Sequence, residues 1–315
     1  MQTASLDLIL PHLPKQLSEA IQSPAYSEVC VCEDGSVFAE VAGRNVMEEI
    51  DGGQPTQTQL RRAVNAIARL ISGHEADEDN PILEEKLPDG ARIAVIMPPL
   101  VEGITITIRK FRADWFSLSE LVANNMLSAA MAEVLTEVVD QRLNVLVSGA
   151  TGSGKTTLTK ALIDLIPLHE RIVLLEDTFE IPIKHKCRMR AASDSKRSMR
   201  DLVKASLRHR PDRLIVGEVR DGAAYDLLQT LNTGQRGAIS TLHASSAKNT
   251  LNRLAWLALQ ADVGLPFAAI QSAIGDEIHY VAHVERVGGS RRVTELLRVV
   301  GFKDGEFKTE ERKAA

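Results

Sequence analysis

The stretch that decides the fold runs from residue 144 to residue 156 and has the sequence NVLVSGATGSGKT. Its second part, Gly149 to Thr156, fits the pattern G-x-x-x-x-G-K-[ST] of a phosphate-binding loop. The apolar residues before the loop predict a strand, and the apolar spacing from Leu158 to Leu165 predicts a helix. A strand, a glycine-rich loop and a helix in this order indicate a P-loop nucleotide-binding domain of the α/β class.

Each residue type in this loop has a chemical reason to be there. Glycines permit backbone angles at which amide N–H groups converge on phosphate oxygens, at the positive end of the following helix. Lys155 is predicted to neutralise the β- and γ-phosphates, and the hydroxyl of Thr156 is predicted to reach Mg²⁺. The predicted nucleotide-binding set is Gly149, Ala150, Thr151, Gly152, Ser153, Gly154, Lys155 and Thr156.

Acidic residues follow two further strand-like runs. Residues 172–175 lead into Glu176 and Asp177, and residues 214–216 lead through a glycine to Glu218. Ligands of open α/β sheets collect at the carboxyl ends of the strands, so both acids are expected near a magnesium-nucleotide site. Glu218 suits the position that holds Mg²⁺, directly or through water, and Glu176 is the preferred general base, with Asp177 as its helper. The sequence leaves open which glutamate has which role.

A histidine ends a fourth strand-like run, because GAISTL at 237–242 leads to His243. The same edge argument places His243 where it would sense the γ-phosphate. A structural hydrogen-bonding role is the alternative, and it is the more frequent one for a lone histidine. The pair His185 and Cys187, and the cysteines at 30 and 32, lack partners at zinc spacing and are expected to be structural.

The composition limits the classes of protein that fit. A chain of 315 residues with 44% hydrophobic and 25% charged residues is ordinary for a globular protein of two domains. Its net charge of -5 gives no overall basic field, so direct sequence-specific nucleic-acid binding is not expected. Three cysteines without a paired framework are typical of a reducing compartment. Neither a spanning apolar run nor a secretory signal is evident, so we expect a cytoplasmic protein.

Residues 1–110 are predicted to form a small α+β domain. The apolar pattern then breaks, and Ser117 and Glu120 have the spacing of a helical capping box. We therefore place a linker at 111–118 and the P-loop domain at 119–315. The predicted elements of the first domain are a hairpin over 28–40, a helix over 59–71, and strands over 91–97 and 104–108.

The strand-like runs of the P-loop domain are apolar on both faces, which predicts a sheet covered by helices on both sides. Two glycines at 288 and 289 lie between strand-like segments and predict a hairpin added to this sheet. The last residues, Lys308 to Ala315, are mostly charged and are expected to be frayed.

Four blocks of the P-loop domain resemble the secretion and traffic ATPases that power type II and type IV secretion and type IV pili. GATGSGKTT at 149–157 is similar to their Walker A block, which adds Thr157 to the nucleotide-binding set, and LLEDTFEI at 174–181 is similar to their Asp box. RPDRLIVGEVRDGAAYDLLQTLNTG at 210–234 is similar to their Walker B block, and GAISTLHASS at 237–246 to their His box. The compact N-terminal domain, the segment PPLVEGITITIRK at 98–110 and the lack of a four-cysteine zinc insertion resemble the short type IV secretion and conjugation branch.

This resemblance implies a PAS-like N-terminal domain, a RecA-like C-terminal domain and a homohexameric ring. It also implies ATP and Mg²⁺ as cofactors, and type IV secretion or conjugation machinery as the partner. The ring would lie on the cytoplasmic face of the inner membrane, with peripheral membrane contact. The positions that match the family's functional residues are Lys155, Thr156, Glu176, Glu218 and His243.

Two arginines of the N-terminal domain complete the implied site. Arg92 and Arg109 fall where the family presents arginines to the nucleotide, and ordinary surface arginines are the alternative. Guanidinium groups there would stabilise γ-phosphate charge while the nucleotide is held between the two domains. Closure about residues 110–117 would then turn hydrolysis into movement that drives pilus assembly or substrate transfer.

Other interpretations stay open. The stretch from Lys184 to Arg200 is unusually basic, and a solvated loop is preferred over a pore lining or a lipid contact. A pilus-retraction or type II secretion motor would use the same chemistry, although the short N-terminal domain disfavours it. A nucleotide-binding regulatory scaffold would bind ATP with little turnover, whereas the presence of both Glu176 and Glu218 favours turnover.

Overall fold

A computed structural model describes residues 9–42, 46–71, 76–86, 91–110, 115–177, 179–185, 187–192 and 196–312. The chain divides into two compact units, Met1–Asp114 and Trp115–Ala315. This division falls within the stretch 111–118 that the sequence predicts as a linker, of which residues 111–114 lie outside the described residues.

The first unit contains a six-stranded antiparallel sheet with the strand order β3-β2-β1-β6-β5-β4. Helices α1 and α2 pack on one face of this sheet, and together they form a single apolar core. The predicted hairpin and the predicted helix are both confirmed. The elements are α1 Lys15–Gln22, β1 Tyr26–Val31, β2 Val37–Val41, β3 Met47–Glu49, α2 Gln57–Ile71, β4 Ile82–Lys86, β5 Arg92–Ile96 and β6 Thr105–Arg109.

The second unit is built on an eight-stranded mixed sheet with the order β14-β13-β12-β7-β11-β10-β8-β9. Strands β12, β7, β11, β10, β8 and β9 run parallel to one another. Strand β13 pairs with β12, and β14 with β13, in antiparallel orientation. The helices are α3 Leu118–Ala123, α4 Ala129–Asp140, α5 Lys155–Ile163, α6 Met199–Ser206, α7 Ala223–Asn232, α8 Ala247–Leu259 and α9 Phe267–Glu277. The strands are β7 Val145–Ser148, β8 Ile172–Glu176, β9 Arg188–Ala192, β10 Arg213–Val216, β11 Ile239–Leu242, β12 Tyr280–Val287, β13 Ser290–Lys303 and β14 Glu306–Glu311.

Both faces of this sheet are covered, as the apolar runs predict. Within β8, Val173 and Leu175 belong to one apolar core, whereas Leu174 between them belongs to the core on the opposite face. Successive side chains of a strand point to opposite faces, so two cores require apolar residues at every position. The α/β class of the P-loop domain is therefore confirmed.

Local helix signals are also confirmed. Ser117 caps α3 by accepting a hydrogen bond from the Glu120 N–H, and the Glu120 carboxylate accepts one from the Ser117 N–H in return. This reciprocal pair satisfies two backbone donors at the start of the helix. None of the helices in the described part of the chain is long and apolar enough to cross a membrane.

Two expectations about charged stretches are wrong. Residues 308–311 are not frayed, because they belong to β14, which pairs with β13 and buries Phe307. Charged side chains are also typical of a solvent-facing edge strand, so charge alone misled the prediction. The basic stretch 184–200 is not simply a solvated loop either, since it contains β9 and the start of α6, while Lys186 and residues 193–195 lie outside the described residues.

Candidate active site

The phosphate-binding loop connects β7 to α5, as its sequence context predicts. Gly149 has φ of 147°, and a Cβ at this position would lie 2.1 Å from the carbonyl oxygen of Val284. Only glycine combines this backbone angle with so close an approach to a neighbouring strand. Helix α5 then begins at Lys155, so its first N–H groups and the positive end of its dipole face the loop.

Lys155 is buried and folds back over its own loop. Its Nζ donates to the carbonyl oxygens of Gly149 at 3.0 Å and Ala150 at 2.9 Å, and lies 3.3 Å from Nδ1 of His243. Burial lowers the pKa of Lys155, the nearby Glu218 carboxylate opposes this shift, and Arg220 adds to it. The ammonium group is thus held at the inner side of the loop by hydrogen bonds to neutral carbonyl oxygens.

Glu218 follows β10 and is the centre of a charged network. Arg220 donates to both of its oxygens, with Nε to Oε1 at 2.8 Å and Nη2 to Oε2 at 2.9 Å. Arg220 also lies 3.1 Å from Oδ2 of Asp177, so one guanidinium joins the ends of two neighbouring strands. Burial raises the pKa of Glu218, but the hydrogen bond and charge of Arg220, with His243 and Lys155, outweigh it and hold the pKa below its ordinary value.

His243 links this network to the loop lysine. Its Nδ1 faces Lys155, and its Nε2 lies 3.2 Å from Oε1 of Glu218. Burial and the Lys155 charge lower the pKa of His243, with Glu218 opposing them, so the ring is neutral at pH 7. A neutral ring that donates from Nε2 and accepts at Nδ1 satisfies both neighbours. The structure thus brings Lys155, His243 and Glu218 into one contact chain.

Glu176 is the last residue of β8, and the contacts described for it lie outside the Lys155–His243–Glu218 contact chain. Its Oε1 accepts the backbone N–H groups of Glu180 and Ile181, each at 2.8 Å, and its Oε2 lies 3.2 Å from Nη2 of Arg190. The carboxylate is buried, and it holds the backbone of Glu180 and Ile181 in place. Its role as a general base stays a prediction.

The remaining loop residues fit a bound phosphate chain. Thr156 and Thr157 lie half-buried in the first turn of α5, and Ala150 and Thr151 form the exposed part of the loop. Ser153 Oγ is buried and, within the described residues, makes no hydrogen bond. The loop combines glycines at its close backbone contacts with a buried lysine and a buried hydroxyl that makes no hydrogen bond within the described residues. Together these features are suited to binding an oxyanion.

Most of the chain matches one known protein family. The model of the type II/IV secretion system protein family matches residues 11–282. The chain belongs to this family. It is 34% identical over 302 residues to the conjugal transfer protein TrbB of Rhizobium radiobacter, covering 95% of this chain and 91% of that protein. The predicted resemblance to the secretion ATPases, and among them to the type IV secretion and conjugation branch, is confirmed.

Solved structures agree on the fold. The VirB11 ATPase of the Brucella suis type IV secretion system, crystallised with sulphate, is 27% identical, with a TM-score of 0.51 over 93% of this chain and 94% of that chain. The Legionella pneumophila ATPase DotB is 20% identical, with a TM-score of 0.64 over 96% of this chain and 83% of that chain, which supports the fold alone. Both comparisons fit an N-terminal domain followed by a RecA-like domain.

The secretion ATPase carries its two predicted nucleotide arginines in the first unit. Arg92 and Arg109 are direct cross-strand partners in β5 and β6, and Nε of Arg109 lies 3.9 Å from Oε2 of Glu28. Directly opposite residues lie on the same face of the sheet, and Glu28 on β1 is the cross-strand neighbour of Arg109 on its other side. Their contact with a nucleotide stays a prediction.

Sequence reasoning missed three arginines of the secretion ATPase site. Arg220 lies two residues after Glu218 in the quoted Walker B block, and that position alone could have suggested it. Arg286 and Arg291 both donate to the carbonyl oxygen of Gly152 in the phosphate loop. They are more than a hundred residues away in sequence, so no local pattern could have found them.

Proposed function

We propose that this secretion ATPase is a Mg²⁺-dependent hydrolase of ATP that works as a ring-shaped motor in a type IV secretion or conjugal transfer system. The observation that carries the proposal is the contact chain from Lys155 through His243 to Glu218, at the carboxyl ends of neighbouring strands. This is the edge where open α/β sheets bind their ligands. The similarity to TrbB supports the assignment to conjugal transfer.

The role of each residue in the proposed site follows from its chemistry. Lys155 exchanges its loop carbonyls for the β- and γ-phosphate oxygens, which is a stronger, charge-assisted pairing. Thr156, at the start of α5, and Glu218 are the residues that would hold Mg²⁺, directly or through water. Bound Mg²⁺ would neutralise charge that develops on the transferred phosphoryl group. Among the described residues no cluster of three acidic, histidine or cysteine side chains could hold a metal by itself.

The two glutamates have different surroundings, and this difference supports different roles for them. Glu218 lies in the network of Lys155 and His243 and has a lowered pKa, so it is ionised at pH 7 and available to organise Mg²⁺ or water. Glu176 is bonded to backbone N–H groups and to Arg190, which suits a residue that shapes the neighbouring segment. We therefore place Glu218 at the reacting centre and keep Glu176 as the candidate base.

Membership of the family supports a wider assembly. A homohexamer in which Arg92 and Arg109 contact the γ-phosphate of ATP would change its conformation with each hydrolysis event. Membrane contact would be peripheral, at the cytoplasmic face of the inner membrane. The alternatives are a pilus-retraction motor and a regulatory scaffold, which would use the same fold in other machinery. The rate of ATP turnover distinguishes the scaffold from the secretion motor and from the pilus-retraction motor.

Nucleotide binding and phosphate release by the full chain test this proposal. We expect the wild type to bind ATP, to release phosphate only with Mg²⁺, and to form hexamers by light scattering. Lys155→Ala should weaken ATP binding about 10- to 100-fold, because it removes charge-assisted hydrogen bonds to the phosphates. Lys248→Ala, an exposed lysine of α8, is the matched control and should leave binding unchanged. Equal ATP affinity in wild type and Lys155→Ala would refute the assigned site.

A further inference from the structure

The hairpin β12–β13 lies against the phosphate loop. Strand β12 runs parallel to β7, with His283 opposite Ser148, so its next residues pass alongside the loop that begins at Gly149. The contact is one of backbone on backbone, because a Cβ on Gly149 would lie 2.1 Å from the Val284 carbonyl oxygen. Side chains further along this hairpin therefore reach the loop.

The turn of the hairpin sets two arginines directly opposite each other. Gly288 and Gly289 have φ of 58° and 80°, as a tight two-residue turn requires. The resulting register pairs Arg286 with Arg291. Directly opposite residues of an antiparallel pair lie on the same face of the sheet, so both guanidinium groups leave the hairpin on one side.

Both arginines converge on the loop carbonyl of Gly152. Arg286 donates to this oxygen through Nε at 3.1 Å and Nη2 at 3.0 Å, and Arg291 donates through Nε at 3.0 Å. Arg291 also flanks the loop with its aliphatic part, since a Cβ on Gly154 would lie 3.2 Å from its Cδ. One arginine from each strand of the hairpin thus contacts the outer side of the loop.

The hydrogen bonds from the two arginines fix the direction of one peptide unit. The carbonyl of Gly152 and the N–H of Ser153 belong to the same planar trans peptide, so they point in opposite directions. With the carbonyl held by the arginines, the Ser153 N–H faces the inner side of the loop, 3.3 Å from the Ala150 oxygen that also accepts from Lys155. A reversed peptide would present an oxygen to the phosphates and would remove one donor from the cradle.

We propose that Arg286 and Arg291 form an arginine clamp that holds the phosphate loop in its anion-binding shape and adds positive charge beside the polyphosphate. The clamp rests on the proposed function and deepens it, because it names two positioning residues for the same nucleotide site. Its ligand is the phosphate chain of a nucleoside di- or triphosphate, and not the base.

Affinities for ADP and AMP test the clamp in Arg286→Gln, Arg291→Gln and Arg286→Lys. Each glutamine variant should bind ADP about tenfold more weakly, since it removes a charged donor that orients the loop. Arg286→Lys should lose less, because it keeps the charge but not the planar pair of donors. AMP affinity should change less than ADP affinity, because AMP offers fewer phosphates. Arg292→Gln removes an exposed charge of the same hairpin and should bind ADP like wild type.

Amide hydrogen exchange supplies a second readout in the full chain. Amides of residues 150–154 should exchange faster in the glutamine variants, while those of β7 should keep the wild-type rate if the sheet stays folded. Unchanged ADP affinity, an equal loss for AMP, or an equal loss in Arg292→Gln would each overturn the clamp. Wild-type protein that fails to bind ADP would instead reject the proposed function, and the clamp with it.

Discussion

Arg220 sets the charge of Glu218 in the candidate site. It donates to both oxygens of this carboxylate and also reaches Asp177, so it joins the ends of β10 and β8. Burial alone would raise the pKa of Glu218, and Arg220 is the main reason why that pKa is lowered instead. The activity that depends on ionised Glu218 should therefore persist to low pH and be lost as pH falls through the lowered pKa.

Arg220→Gln should move the acid limb of the kcat/KM profile for ATP hydrolysis to higher pH. The substitution removes the charge and the paired hydrogen bond, so burial dominates and the pKa of Glu218 rises. Arg220→Lys should shift the limb less, because it keeps the charge. Arg208→Gln, an exposed arginine outside the network, serves as the control for net charge. An acid limb that stays in place in Arg220→Gln would show that Glu218 does not limit the rate at low pH.

The edge strand β14 is the element where charge misled the sequence prediction. Phe307 is buried within it, and its ring lies 5.0 Å from that of Phe302 on the paired strand β13. Phe307→Ala should therefore destabilise the second unit by about 3–5 kcal/mol, the usual effect of removing a buried phenylalanine. Thermal and urea unfolding of the full chain measure this loss. Lys308→Ala on the exposed side of the same strand should be near neutral, and equal neutrality for Phe307→Ala would mean that the strand is frayed.

Local patterns predicted the elements and contacts that lie close in sequence. The loop from Gly149 to Thr156, the capping box at Ser117 and the carboxyl-end positions of Glu218 and His243 could be predicted because each depends on neighbouring residues or on strand order. Arg286 could not be predicted, because its contact with Gly152 depends on the pairing of β12 with β7, two strands that lie more than a hundred residues apart in sequence. Neither could the burial of Phe307 be predicted within a charged segment.

For the molecule as a whole, the four parallel strands β7, β8, β10 and β11 carry the loop, Glu176, Glu218 and His243 to one edge of the sheet. This convergence, together with membership of the type II/IV secretion family, supports a motor that turns over ATP rather than a scaffold that only binds it. Hydrolysis that depends on Glu218 is therefore what distinguishes the motor from the scaffold.

Phosphate release from ATP and Mg²⁺ by wild type and Glu218→Gln, with nucleotide affinity measured in parallel, tests whether hydrolysis depends on Glu218. We expect hydrolysis by the wild type, at least about a 100-fold loss in Glu218→Gln, and ATP affinity within a few-fold of wild type, because the amide keeps the shape of the side chain but cannot carry its charge. Glu176→Gln in the same assay reports on the candidate base. Phosphate release by Glu218→Gln at the wild-type rate would contradict the account.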